Sequence, residues 1–141
     1  MRRMNVVYSL ITDASKSKIL MVRNRDNDSW SLPGGAVEDH ETLQEAAVRE
    51  AKEETGYDIK VHGIVAVNEA KLTELDVHAI FFTFRGEILG GVQKVSRPEE
   101  ITDIQWIDIE KADELMPYYK DGLIHLGRRN REITYFYEGV V

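Results

Sequence analysis

From Gly34 the chain reads GGAVEDHETLQEAAVREAKEETGY, and this stretch constrains the fold more than any other. It is a helix with both ends written into it. Thr42 can accept hydrogen bonds from the first turn, and Glu45 three residues on completes a capping box. Gly56 is a natural left-handed stop. Leu43, Ala47 and Ala51 recur at i, i+4 and i+8 and form a narrow stripe of small residues, suited to lying close against a sheet. Glu50, Glu53 and Glu54 fall at i, i+3 and i+4, so they share one face within one turn. Like charges so crowded repel one another, and a helix gains nothing from them unless a cation sits among them.

The charge balance points the same way. The 141-residue chain carries a net charge of −7. The segment from Gly35 to Tyr57 holds seven of its 25 acidic residues and two of its 18 basic ones, so the acidity is local. A local acidic face favours a cation site and argues against duplex nucleic acid as a partner, which needs a basic surface. The chain has no cysteine, which excludes disulfides and thiolate metal sites and fits a cytoplasmic protein. Asn5, Ser9, Thr12 and Asp13 interrupt the apolar start, so no signal-peptide core is expected. No apolar run is long enough for a membrane span.

Residues 1–141 are expected to form one domain. Strands are expected over Asn5–Thr12, Lys18–Arg23, Trp30–Leu32, Asp58–Glu69, Asp76–Arg85, Ile101–Ile107 and Glu132–Glu138. Pro33-Gly34-Gly35 reads as a turn. Arg85–Ser96, with Gly86, Gly90 and Gly91, reads as a turn and a mobile segment. Short helices are expected over Asp108–Tyr119 and Asp121–Arg129. The class is therefore α+β with a mixed sheet. Phe82 and Phe84 share a strand face and belong in the core. Tyr118, Tyr119, Tyr135 and Tyr137 can stack on a base or pack at a surface. None of the four histidines stands at ligand spacing with another, so each is expected to be structural.

The fixed positions Gly35, Glu41, Arg49, Glu50, Glu53, Glu54 and Gly56 match the spacing G-x5-E-x7-R-E-U-x-E-E-x-G-U, where U is apolar. The chain thereby resembles the Nudix hydrolase family, in its MutT-like form. Ala51 and Tyr57 occupy the U positions, a mild departure that touches packing and leaves the charges intact. The resemblance implies a Nudix α/β/α sandwich, a mixed sheet between helices with the signature forming loop–helix–loop. It implies an enzyme dependent on Mg²⁺ or Mn²⁺ that cleaves the pyrophosphate linkage of a nucleoside diphosphate joined to another moiety. Divalent cations suit that reaction because they screen the phosphate charge that an attacking water must approach.

The same resemblance assigns roles. Glu50 and Glu54 ligate metal directly, Glu53 directly or through water, and the Gly34 backbone carbonyl completes the shell. Arg49 cannot be a ligand and orients Glu50, with Glu41 as its other partner. The general base is Glu54 or an acid on a later loop, Glu100 ahead of Glu99, with Glu69 and Glu74 behind them. Arg23, more than Arg25, is placed to meet substrate phosphates. Glu38, Asp39 and Glu45 need no role beyond solvation or capping.

The partner is expected to be a small nucleotide-type molecule. Subgroup marks beyond the signature are absent: Ala70–Asp76 has neither the proline of ADP-ribose hydrolases nor the tyrosine of dinucleoside polyphosphate hydrolases. An alternative is a regulatory module that binds a nucleotide without turnover, although such modules usually lose a signature glutamate. The apolar and aromatic run Glu132–Val141 suggests an edge strand and with it a homodimer seam.

Overall fold

The structure is a computed structural model that describes residues 1–129 and 131–141. Its elements run β1 (Arg2–Leu10), β2 (Lys18–Asn24), β3 (Ser29–Ser31), β4 (Gly34–Ala36), α1 (Leu43–Thr55), β5 (Tyr57–Leu72), β6 (Val77–Gly91), β7 (Ile101–Asp108), α2 (Ile109–Leu115) and α3 (Gly122–Arg128). A 3-10 turn at Thr73–Leu75 joins β5 to β6. One sheet has the order β4-β1-β6-β5, with β1 parallel to β6 and the other neighbours antiparallel. The second, β3-β2-β7, is antiparallel throughout.

Period-two alternation sorts the strand side chains between two helical layers. Val7 of β1 and Phe84 of β6 face α1 and meet Ala46 and Ala47. Leu20 and Val22 of β2 cluster with Ala51 on that side. Leu10, Ile19 and Met21 point the other way, into a cluster with Ile109, Met116 and Leu123 of the α2–α3 region. The result is an α/β/α sandwich around a mixed sheet, as expected. Phe84 is fully buried and Phe82 packs beside it against the same cluster, so the pairing of those two on one face holds.

Helix α1 forms as its sequence dictates. The Thr42 side chain accepts from Glu45 N–H, and Glu45 returns the bond to the Thr42 N–H. Gly56 stops the helix at φ 83°, its N–H donating to Lys52 O. Ala46, Ala47 and Ala51 are all buried, so the helix backbone lies close to the sheet.

Four expectations need correction. Pro33-Gly34-Gly35 is not merely a turn: Gly34–Ala36 is strand β4, antiparallel to β1 in the register Tyr8↔Gly34. Arg85–Ser96 is not a turn over its first half, because β6 continues to Gly91 in register with β5. Gly86 serves close packing there, since a Cβ on it would come within 2.9 Å of Ile11. The helix expected to reach Tyr119 ends at Leu115. Glu132–Glu138 forms no strand. Its bridge among the described residues is Ile133 to Ile64 of β5, and although Tyr135 packs on Phe84, Ile133 and Phe136 are 69% and 78% exposed, so alternation there buries little. The edge on which the homodimer expectation rested is therefore not formed.

Two of the histidines meet carboxylates: His62 Nε2 lies 2.9 Å from Glu87 and His78 Nε2 2.6 Å from Glu69. Among the described residues no helix is long and apolar enough to cross a membrane.

Candidate active site

The acidic face of α1 rests on β4. The Gly34 N–H donates to Glu54 Oε1 at 3.0 Å. A Cβ on Gly35 would come within 2.7 Å of Glu50 Oε1, so only glycine allows Glu50 its position. Gly35 thus makes room for a carboxylate of the helix, whereas Gly34 makes room for β1 at Val7 and Tyr8.

Arg49 is the hub of the helix face. Its Nε and Nη2 fork onto Glu41 at 2.5 and 2.8 Å. Its Nη1 donates to Glu50 Oε1 at 3.0 Å and to Glu53 Oε2 at 3.2 Å. A further bond from Nη2 reaches the Ala36 carbonyl on β4. Bidentate pairing to Arg49 holds Glu41 down to about 2, and Glu41 in turn raises Arg49, so the pair stays ionised. Arg49 therefore ties Glu50 to Glu41 through one guanidinium.

The residues do not share this cation evenly. Glu53 touches two cations, Arg49 and also Arg97, whose Nη2 lies 2.9 Å from Glu53 Oε1. Arg97 also approaches Glu100 at 3.7 Å. Among the described residues Glu54 has no cationic partner; it is 7% exposed and its direct hydrogen bond comes from Gly34. Burial pushes Glu54 up to about 8, opposed by the Gly34 N–H and reinforced by Glu50, Glu100 and Glu53. Burial likewise raises Glu50, partly offset by Arg49. Tyr8, on β1 beneath Gly34, is lifted to about 12 by burial and then by the Glu54 charge.

The structure thus brings Glu41, Arg49, Glu50, Glu53, Glu54, Gly34 and Glu100 together. It does not bring Arg23 to them: that guanidinium donates to Asp28 Oδ1 at 2.7 Å and is 43% exposed. Arg25 has a different task from the one expected. Its Nε donates to Pro98 O at 2.8 Å, and its backbone N–H donates to Glu100 O at 2.8 Å. It clamps the turn that presents Glu100 and Arg97. Neither Arg25 nor Arg97 could be assigned this from sequence, because each acts on residues more than 40 positions away.

Among the described residues, no three His, Cys, Asp or Glu side chains converge as ligands of one ion. The chemistry of the set nonetheless fits a hard divalent cation. It offers oxygen donors only, and a buried carboxylate facing three others without a cation of its own is the group such an ion would relieve.

Gly34 also lines a cavity of about 740 Å³ on the α2 side of β1. Tyr8, Trp30, Phe81, Tyr118 and Tyr119 contribute aromatic walls. Tyr8 and Phe81 are stacked, with centroids 6.0 Å apart and planes 2° from parallel. Tyr119 is anchored by a 2.8 Å hydrogen bond to Thr83. Of the tyrosines considered for stacking, Tyr118 and Tyr119 reach this cavity, whereas Tyr135 packs edge-on against Phe84.

A family model described as the NUDIX domain matches residues 1–126. This chain belongs to the Nudix hydrolase family. It is 34% identical over 99 residues to a MutT-like protein of Streptomyces ambofaciens, a match spanning 70% of this chain and 60% of that one. It is 32% identical over 102 residues to an ADP-ribose pyrophosphatase of Methanocaldococcus jannaschii, spanning 70% and 59%. Such matches span somewhat under two thirds of these relatives. Among solved structures, the MutT protein of Methanosarcina mazei superposes with a TM-score of 0.75 at 28% identity, covering 93% of this chain and 97% of that one. The Nudix signature and the loop–helix–loop that carries it are therefore one unit in this chain, from Gly35 to Tyr57.

Proposed function

We propose that this protein hydrolyses the pyrophosphate linkage of a nucleoside diphosphate derivative, with Mg²⁺ or Mn²⁺ held by Glu50, Glu53, Glu54 and the Gly34 carbonyl. The observation that carries this reading is Glu54, a buried carboxylate pressed toward three others with one N–H as its direct partner. A charge so placed costs stability without a cation, and the arrangement is built into both α1 and β4. When bound, the cation supplies charge screening of the pyrophosphate and acidification of the attacking water.

The chain's own residues do the rest. Arg49 fixes the carboxylates of Glu50 and Glu53 through charge-assisted bonds and ties them to β4 through Ala36. Glu100 accepts the proton of the attacking water at a carboxylate oxygen. Its claim over Glu54 is its place on a turn that Arg25 holds, close enough to act on Glu50 and Glu54 electrostatically. Arg97 steadies Glu100 and Glu53 from the same turn. The aromatic cavity beyond Gly34 receives the nucleoside, which leaves the phosphates over the acidic face. Arg23 meets the distal phosphate only by leaving Asp28. Its cross-strand neighbour Trp30 lines the cavity, which supports a position for it near the rim.

The test is a hydrolysis screen over nucleoside triphosphates, ADP-ribose, dinucleoside polyphosphates and nucleotide sugars, with and without Mg²⁺ or Mn²⁺. Metal-dependent release of a nucleoside monophosphate, lost in Glu54→Gln, is the expected result. Turnover that survives both chelation and that substitution would refute the assignment.

A further inference from the structure

Both oxygens of Glu53 face a guanidinium. Oε2 accepts from Arg49 Nη1 at 3.2 Å, and Oε1 lies 2.9 Å from Arg97 Nη2. A divalent ion on either oxygen would stand beside one of these charges, and like charges at such range repel. Glu53 cannot take up an ion at full strength while both guanidinium groups stay in place. One of them has to yield.

The two are not equally free to do so. Arg49 is 25% exposed and is bonded twice to Glu41 and once each to Glu50, Glu53 and Ala36. Moving it would break the ties between α1 and β4 as well. Arg97 is 40% exposed, and among the described residues its side chain has two partners, Glu53 and, through Nη1 at 3.7 Å, Glu100. It can release the first while keeping the second.

Its backbone is meanwhile pinned. Arg97 O accepts from the N–H groups of Glu100 at 2.9 Å and Ile101 at 2.8 Å. The carbonyl of the next residue, Pro98, accepts from Arg25 Nε. A proline in that place also restricts the backbone of Arg97 itself. The turn thus presents a fixed Cα with a long side chain that pivots between two acids. Exchange from Glu53 to Glu100 needs side-chain rotation alone.

We infer that Arg97 is a displaceable counter-ion: its guanidinium holds Glu53 until a divalent cation takes that carboxylate, and then passes to Glu100 on its own turn. This rests on the reading that the acidic face of α1 binds such a cation. Arg97 is in these terms a positioning residue, which sets how readily Glu53 joins the ion.

Mn²⁺ binding without nucleotide, followed by loss of the free-ion electron paramagnetic resonance signal, tests the inference apart from catalysis. Arg97→Gln is expected to bind Mn²⁺ about three- to tenfold more tightly than wild type, because a competing unit charge is gone. The same variant should unfold at lower urea in a chelating buffer, since Glu53 loses a partner. A purely structural role for Arg97 would weaken affinity and stability together. Arg97→Lys keeps the charge and should stay within about twofold of wild type. In a Glu53→Gln background the effect of Arg97→Gln should shrink to about twofold or less, which assigns the competition to that carboxylate. Equal or weaker Mn²⁺ binding by Arg97→Gln overturns the inference and leaves the acidic face a cation site. So does a gain that persists undiminished in the Glu53→Gln background, or one that Arg97→Lys reproduces in full. Absence of Mn²⁺ binding from both wild type and Arg97→Gln overturns the inference and the proposed cation site together.

Discussion

Replacing Glu54 by glutamine should stabilise the metal-free protein, and the gain should grow with pH. Burial raises the folded-state value of Glu54 from an ordinary 4.5 to about 8. A raised acid binds its proton more tightly in the folded than in the unfolded chain. Its contribution is therefore fully favourable below pH 4.5 and is lost as pH rises from 4.5 toward 8. Each pH unit in that window costs about 1.4 kcal/mol, so by pH 7 the wild type forfeits about 3 kcal/mol. Glutamine has the same shape, keeps an oxygen for the Gly34 N–H and cannot ionise. Urea denaturation in a chelating buffer at pH 4.5, 6, 7 and 8 should show near-equal stabilities at the lowest pH. At pH 7 the variant should lead by about 3 kcal/mol, or about 9 °C in melting temperature. Saturating Mn²⁺ should reverse the order, because only the wild type gains binding energy at that carboxylate. A variant that is no more stable at pH 7 than at pH 4.5, relative to wild type, would show that Glu54 is not an unpaired buried charge.

Three further outcomes follow from the geometry. Arg49→Lys loses the planar fork that serves Glu41, Glu50, Glu53 and Ala36 together, and stability in urea should fall by about 2 kcal/mol even though the charge is retained. Gly35→Ala drives a methyl group toward Glu50 Oε1, so kcat/KM should fall between about 10- and 100-fold while stability changes little, since the far end of a side chain is what must move. Arg25→Ala releases the Pro98 carbonyl and loosens the turn bearing Glu100; kcat should drop by about tenfold with KM for substrate nearly constant, and a fall in KM affinity alone would contradict the assignment of Glu100 to the chemical step.

How far the sequence could be read depended on the range of each interaction. Helix α1 was legible to the residue at its capping box and at Gly56, because caps are made by neighbours three or four positions apart. The same locality made Glu41, Arg49, Glu50 and Glu53 legible as a set. Glycine misled where its reason was tertiary. Gly86 looks like a turn from sequence alone, yet it sits inside β6 to admit Ile11, just past the end of β1. The alternation of Glu132–Glu138 misled in the opposite sense, since a strand pattern without a surface to cover stays exposed. Arg97, Tyr8 and the clamping role of Arg25 escaped notice because they exist only once β1, β7 and α1 have packed.

The unequal sharing of cations among the carboxylates says where an ion would enter. Glu41 and Glu50 are satisfied by Arg49, and Glu53 by Arg49 and Arg97, all through atoms of the chain itself. Glu54 alone among the signature acids is left to a backbone N–H, and it is also the most desolvated. The alanines of α1 create this condition. Because Ala46, Ala47 and Ala51 let the helix settle on the sheet, Glu54 is carried down against Gly34 instead of standing in water. A larger side chain at Ala47 would lift the helix from Val7 and Phe84, open the Gly34–Glu54 bond and rehydrate the carboxylate, which would return it toward its ordinary value. The small-residue stripe is therefore as much part of the acidic site as the acids are, since it determines how dry they become.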